Sequence, residues 1–132
     1  MKRVFVAITV CLLTAFSIFG QETPLWIRKN SISPDGKNIA FSYKGDIYTV
    51  QTEGGKALQI TTNNSYDSNP IWTKDNKSIV FSSNREGSND IYITSAQGGE
   101  AKRLTFSPSS EIPQAVLSDG SIIYSTYFQE DY

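Results

Sequence analysis

Histidine is absent from the 132 residues, and cysteine and methionine occur once each. Without histidine, this chain can assemble neither a Ser–His–Asp nor a Cys–His nucleophile pair, and no histidine metal site. The lone thiol, Cys11, falls inside an apolar N-terminal run, so residues 21–132 carry no cysteine. That stretch cannot rely on disulfides, and its stability must come from strand packing. Basic clusters are missing too. Twelve Lys and Arg stand against thirteen Asp and Glu, scattered along the chain. Such a distribution excludes the Lys/Arg stripe a nucleic-acid partner needs. Apolar residues spaced three and four apart over a helical length are lacking beyond the N-terminus, so almost no further helix is expected. Asp35, Asp75 and Asp119 each sit alone and not in Asp-x-Asp clusters, which argues against calcium and for turn capping. No metal and no cofactor is expected.

The first twenty residues read differently. Lys2-Arg3 precedes the apolar run Val4–Phe19, sixteen residues against the roughly 20 needed to span a bilayer as a helix. A basic start, a short apolar centre and a small residue before polar sequence describe a helical signal peptide over 1–20, cleaved between Gly20 and Gln21. An uncleaved anchor is the alternative. Ile8-Thr9-Val10 before Cys11 is a poor lipidation motif, and the apolar run continues past it. Removal of Lys2 and Arg3 leaves ten bases against thirteen acids, a net charge of −3. The expected destination is the periplasm or the exterior, with no stable membrane span after cleavage.

What the remaining chain does have is a repeat. Phe41-Ser42 matches Phe81-Ser82, and Asp46-Ile47-Tyr48 matches Asp90-Ile91-Tyr92. Gly54-Gly55 matches Gly98-Gly99, and Ile60-Thr61 matches Leu104-Thr105. The offset is 40 at the front and 44 at the back, because Tyr43-Lys44-Gly45 is replaced by the longer Ser83–Asn89. A third start appears at Val116–Ser125. A period of 40 to 45 residues built from short strands is the mark of a β-propeller blade. The expectation is an all-β domain over 21–132, with repeats at about 25–61, 66–105 and 112–132. That amounts to about two and a half four-stranded antiparallel blades, an open fragment, since propellers close with about four to eight. Two packed sheets of short strands would be the compact alternative.

Each unit follows one plan. Leu25-Trp26-Ile27 is read as the opening strand of the first. A turn then precedes an inner strand: Asp35-Gly36, Asp75-Asn76 and Asp119-Gly120 supply side-chain bonding and a left-handed position. The inner strands are Asn38–Ser42, Ser78–Ser83 and Ser121–Ser125, the third with one residue fewer after its Asp. Ile39 and Phe41 face one way and Ala40 the other; Ile79, Phe81 and Val80 repeat this, as in strands covered on both sides. Asp46–Val50 and Asp90–Ser95 follow, then Gly-Gly hairpins, then short outer strands at Leu58–Thr61 and Lys102–Thr105.

These units resemble the WD-like propeller repeats of the TolB and tricorn protease families. Ser33-Pro34-Asp35-Gly36-Lys37-x-Ile39-Ala40-Phe41 carries the family turn and strand intact. Pro70-x-Trp72, Arg85-x-Gly87, Ile91-Tyr92, Gly98-Gly99 and Leu104-Thr105 carry the rest, with Thr73-Lys74 for Ser-Pro and Asn76 for Gly as departures. Repeats that begin directly after the leader, and an irregular third unit, point toward secreted tricorn-like peptidases over TolB. The resemblance implies a non-catalytic propeller segment that binds or gates peptide or protein substrate for a serine peptidase core, possible oligomers included. The alternatives it leaves are a TolB-like protein-binding scaffold of the cell envelope, or a truncated product without independent function.

Four finer readings complete the picture. Ser31, Ser33 and Lys37 form only a nominal Ser–Lys set and read as solvated turn residues. Arg85 is expected to pair with Asp90 across the longer hairpin, worth about 0.2–1 kcal/mol. Asn63-x-Ser65 and Asn76-x-Ser78 fit a glycosylation pattern weakly. Trp72 and Tyr92 belong to the blade core, whereas Tyr66 and Tyr127, in loops, are the candidate peptide contacts.

Overall fold

The computed structural model describes residues 27–127. The leader, its cleavage point at Gly20-Gln21, and Leu25 and Trp26 lie outside that range. Two sheets of four antiparallel strands and a two-stranded third account for every regular element, with no helix among the described residues. The first sheet is β1 (Arg28–Ile32), β2 (Asn38–Tyr43), β3 (Asp46–Gln51) and β4 (Leu58–Gln59), in that spatial order. The second repeats it with β5 (Asp67–Trp72), β6 (Ser78–Glu86), β7 (Ser88–Ser95) and β8 (Lys102–Arg103). The third pairs β9 (Ser110–Val116) with β10 (Ile122–Tyr127). The fold is all-β, an open fragment of a propeller.

Register makes the equivalence concrete. Phe41 pairs with Tyr48 and Phe81 with Tyr92; Ser42 pairs with Ile47 and Ser82 with Ile91. Turn chemistry sets the spacing before each second strand. The Asp35 carboxylate accepts from the Ser33 hydroxyl at 2.6 Å and the Lys37 amide at 3.1 Å. Asp75 accepts from Thr73 at 2.6 Å and the Lys77 amide at 3.0 Å. The hydroxyl is thus a working part of the turn, since it also accepts the Asn38 or Ser78 amide. Leu117 replaces it in the third unit, where Asp119 bonds the Ser121 amide at 2.9 Å. There the turn closes from Leu117 to Ser121, against Thr73 to Ser78 in the second, so the missing residue is absorbed by the turn. The left-handed position is held by Gly36 (φ 74°) and Asn76 (φ 61°), and Asn is the L-residue that tolerates it best. The Asn76 side chain also reaches the neighbouring unit, accepting the Asp35 amide at 3.0 Å.

Two expectations need correction. The opening strand of the first unit is Arg28–Ile32, after Ile27, while Leu25 and Trp26 lie outside the described residues. Arg28-Lys29-Asn30-Ser31 is polar, and pairing with β2 holds it extended without burial of apolar residues. The strands expected as inner, β2 and β6, lie inside their four-stranded sheets, with a neighbour on each side. β5 packs over β1, β2 and β3, and β9 over β5, β6 and β7, so the first strands meet in succession. Tyr127 is the last residue of β10 and not a loop residue.

The period-two pattern is also interrupted in every first strand. The register shifts at Lys29 in β1, at Asn69-Pro70 in β5 and at Gln114 in β9. Lys29 (φ 47°) and Asn69 (φ 54°) take left-handed backbone at these bulges. A bulge re-aims side chains upstream of it. It puts Asp67 on the face that Trp72, Ile79 and Phe81 share, turned toward the first sheet.

Two cores result. Ala40, Ile47 and Ile60 of the first unit meet Trp72, Ile79, Phe81 and Tyr92 of the second. Val80 and Ile91, on the reverse face, meet Val116, with Ile71, Ile93, Leu104 and Ile122 around them. The second sheet is thus covered on both sides, and each buried Phe or Ile contributes about 1.5–3 kcal/mol. Ser82 donates to the Glu111 carbonyl at 2.8 Å and Trp72 to the Ser31 carbonyl at 3.2 Å, which stitches the units together.

Candidate functional site

The ends of the sheets differ in content. One end carries the Asp turns and Gly-Gly hairpins. The other, called here the connector face, carries the β2–β3 and β6–β7 hairpins and the segments joining one unit to the next. Asp67 at the start of β5 pairs with Ser83 near the β6–β7 hairpin, and Ser110 at the start of β9 pairs with Tyr127. Tyr66 and Tyr127 therefore share this face, 51% and 52% exposed. The Tyr66 amide donates to Asn84 Oδ1 at 2.7 Å. Its ring rests on Gly45 (φ 90°), where an added Cβ would come 3.4 Å from a ring carbon. The Gly45 carbonyl accepts the Asp67 amide at 2.7 Å, so the first hairpin is tied to the second unit.

Beneath Tyr66 lies a fully buried carboxylate. Asp67 accepts from Ser65 Oγ at 3.2 Å, Asn63 Nδ2 at 3.1 Å, and Arg85 Nη2 at 3.2 and 3.3 Å. Burying a charge requires this degree of pairing. Arg85 also donates to Ser83 at 2.9 Å and lies 4.4 Å from the Tyr92 ring centre and 5.7 Å from that of Phe81. Sequence proximity suggested Arg85–Asp90, and the structure overturns it. Ser83 has Asp67 on one side and Asp90 on the other, and Arg103 of β8 claims Asp90 at 2.7 Å. Arg85 is left for Asp67.

Arg103 is fixed as firmly. Its Nε donates to the Thr105 carbonyl at 2.9 Å, and its guanidinium lies 4.6 Å from the ring centre of Phe106. Thr105 Oγ1 accepts the Ile91 amide at 2.8 Å. The first unit has a neutral version: Asp46 accepts from Gln59 at 3.1 Å and Thr61 at 3.3 Å, and Thr61 accepts the Ile47 amide at 3.0 Å. With no cation, burial raises the Asp46 carboxyl above the usual range, the Thr61 and Gln59 bonds opposing this only in part. Burial likewise pushes up the Tyr48 and Tyr92 phenols. Phe106, 73% exposed on the connector between the second and third units, was not singled out from sequence. The exposed aromatic after the outer strand has no counterpart in the first unit, where Thr62 stands, so the repeat gave no signal for it.

An open cleft of about 530 Å³ lies between the two full sheets, lined by Thr61, Asn63, Arg85, Gln97 and Glu100 among others. Its chemistry is polar contact and hydrogen bonding. The Ser33 hydroxyl is donated to Asp35, and no group of three His, Cys, Asp or Glu side chains converges among the described residues. Asn63 and Asn76, the two sequon asparagines, use their side chains on Asp67 and Asp35. Asp35 with Gly36, Asp75 with Asn76, and Asp119 with Gly120 lie on the opposite end. Hydrogen bonds from Ser33 and Thr73, and from the Ser121 amide, hold these three carboxyls below the usual range.

Comparison with known proteins agrees with this geometry. The chain is 29% identical over 98 residues to a tricorn protease homolog of Streptomyces coelicolor, covering 73% of this chain and 9% of that protein. It is 30% identical over 105 residues to the peptidase YuxL of Bacillus subtilis, covering 71% of this chain and 16% of that one. The chain thus spans a small part of the curated relatives it matches. Among solved structures, a TolB from Acinetobacter baumannii superposes with TM-score 0.60 at 30% identity, over 74% of this chain and 28% of that one. A TolB from Agrobacterium tumefaciens superposes with TM-score 0.74 at 23% identity, over 82% and 41%, which shows the fold. Residues 24–131 match the tricorn protease N-terminal beta propeller domain, and the chain belongs to that family.

Proposed function

We propose that this propeller segment handles peptide or protein substrate for a tricorn-like peptidase of the bacterial envelope, contributing binding and not bond cleavage. The reading rests chiefly on one observation. Tyr66 and Tyr127, half exposed, stand on the same end of adjacent units. Rigid aromatics at the rim of a scaffold give contact area at low entropic cost. Export is directed by residues 1–20, with cleavage between Gly20 and Gln21, and the Asp turns serve structure alone. In the test, a dye-labelled pentapeptide is titrated into the chain and its Tyr66→Ala and Tyr127→Ala variants. A fall in affinity of about fivefold or more in each supports the reading, taking about 1 kcal/mol per aromatic contact. Unchanged affinity in both removes it.

A second reading, a TolB-like scaffold that docks envelope proteins, is favoured by the 30% identity to the Acinetobacter baumannii protein. Sequencing of the gene downstream separates them. A PDZ and peptidase core in frame selects the first, and propeller closure followed by a stop selects the second.

A further inference from the structure

We infer that Phe106 is a specificity platform of the connector face, which accepts an apolar or aromatic side chain of an extended peptide and disfavours a basic one. This deepens the peptide-binding reading and rests on it. The ring is 73% exposed on the connector between the second unit and the described strands of the third, and its equivalent Thr62 is exposed beside a second unit described throughout. Its exposure therefore differs in kind from that of Ile123 and Tyr124, which lie on the third sheet.

The ring is also held still. Arg103 lies against it at 4.6 Å, and that guanidinium is fixed by the buried Asp90 at 2.7 Å and the Thr105 carbonyl at 2.9 Å. The residues on either side are anchored too. Thr105 accepts the Ile91 amide, and the Ser107 carbonyl accepts the Ser88 hydroxyl at 3.0 Å. Ser107 Oγ in turn takes the Ser109 amide at 3.1 Å. An immobilised, water-facing ring loses little entropy on contact, so most of the gain from covering it appears as affinity. The occupant's chemistry follows from Arg103. A cation attracted to a ring draws on its π electrons, and a second positive group approaching nearby also meets the charge of the first. Apolar or aromatic groups carry no such penalty.

The test uses the whole chain and two dye-labelled peptides, Ala-Ala-Phe-Ala-Ala and Ala-Ala-Lys-Ala-Ala, with fluorescence anisotropy as the readout. The wild type is expected to prefer the Phe peptide. Phe106→Ala should weaken that peptide about fivefold, leave the Lys peptide unchanged, and erase the preference. Phe106→Trp should keep it. If Phe106→Ala keeps the preference while Tyr66→Ala weakens both peptides, the face binds peptide and the role of Phe106 is refuted by itself. If neither peptide binds the wild type, the peptide-binding reading fails and this inference fails with it.

Discussion

Phe41 and Phe81 stand at the same place in two sheets of the same pattern, yet they live in different surroundings. Phe81 is fully buried between units, stacked on Tyr92 at 6.0 Å between ring centres. Phe41, on the face of the first sheet turned away from the second, is 9% exposed, and among the described residues its ring neighbour belongs to its own sheet. It stacks on Tyr48 at 5.8 Å, with Tyr43 edge-on to the same Tyr48 ring at 5.9 Å. At the next equivalent pair, Ile32 is 61% exposed and Trp72 5%. A repeat fixes which residues point where, while burial depends on whether a neighbouring sheet is present. Electrostatics diverges along the same line. The second unit pays for two buried aspartates with two arginines, and the first keeps one half-buried aspartate on amide and hydroxyl donors.

The largest test of this contrast is truncation of the two phenylalanines. Phe81→Ala should cost about 3–5 kcal/mol, as large-to-small changes in a closed core do, and Phe41→Ala roughly half as much. Urea unfolding of each variant measures both, and equal losses would erase the distinction between the sheets. Next come the carboxylate partners. Arg85→Met strands a fully buried Asp67 with only Ser65 and Asn63, at a cost of about 3 kcal/mol. Gln59→Met, which removes the exposed partner of Asp46, should cost less than about 0.5 kcal/mol in the same assay.

Asp46 and Asp90 then sharpen the comparison through opposite signs. The folded-state pKa of Asp46 lies above its ordinary value of 3.8, so the folded chain keeps this proton longer. Its ionisation therefore lowers stability as pH rises from about 3.8 through the raised value, and the deficit is complete above it. Asp46→Asn should remove that slope and leave the melting temperature at pH 7 unchanged or slightly higher. Asp90→Asn, which uncouples Arg103, should lower it. The smallest effect belongs to the turns. Asp35 and Asp75 titrate below 3.8, so their contribution is complete above that pH and is lost as pH falls through the depressed values. NMR titration should show Ser33→Ala shifting the Asp35 midpoint upward, because its largest cause, the hydroxyl bond, is gone.

Much of this architecture is legible in the chain itself. Paired motifs at offsets of 40 and 44 fall in register on β2, β3, β6 and β7, and the Gly-Gly pairs sit in the hairpins before β4 and β8. What escaped has physical causes. Strand patterns assume unbroken alternation, and the bulges at Lys29 and Asn69 insert left-handed backbone that the apolar pattern does not mark. The ion pairs escaped because partner choice depends on strand adjacency: Asp67 is eighteen positions from Arg85, while Asp90 is nearer in the chain but already taken by Arg103. Phe106 escaped because a contact built once leaves no trace in a repeat.

The Asn69 bulge reaches further than its own position. Asp67 and Trp72 are five residues apart, an odd count that would send them to opposite sides of an uninterrupted strand. The extra residue restores even parity, and the charged clamp and the indole come to lie on one side. A strand of the same length without the bulge would turn the carboxylate to the reverse side, among Val80 and Ile91 and away from Arg85. The left-handed backbone at Asn69 therefore decides which side the charge takes, and a β-branched residue there would work against it.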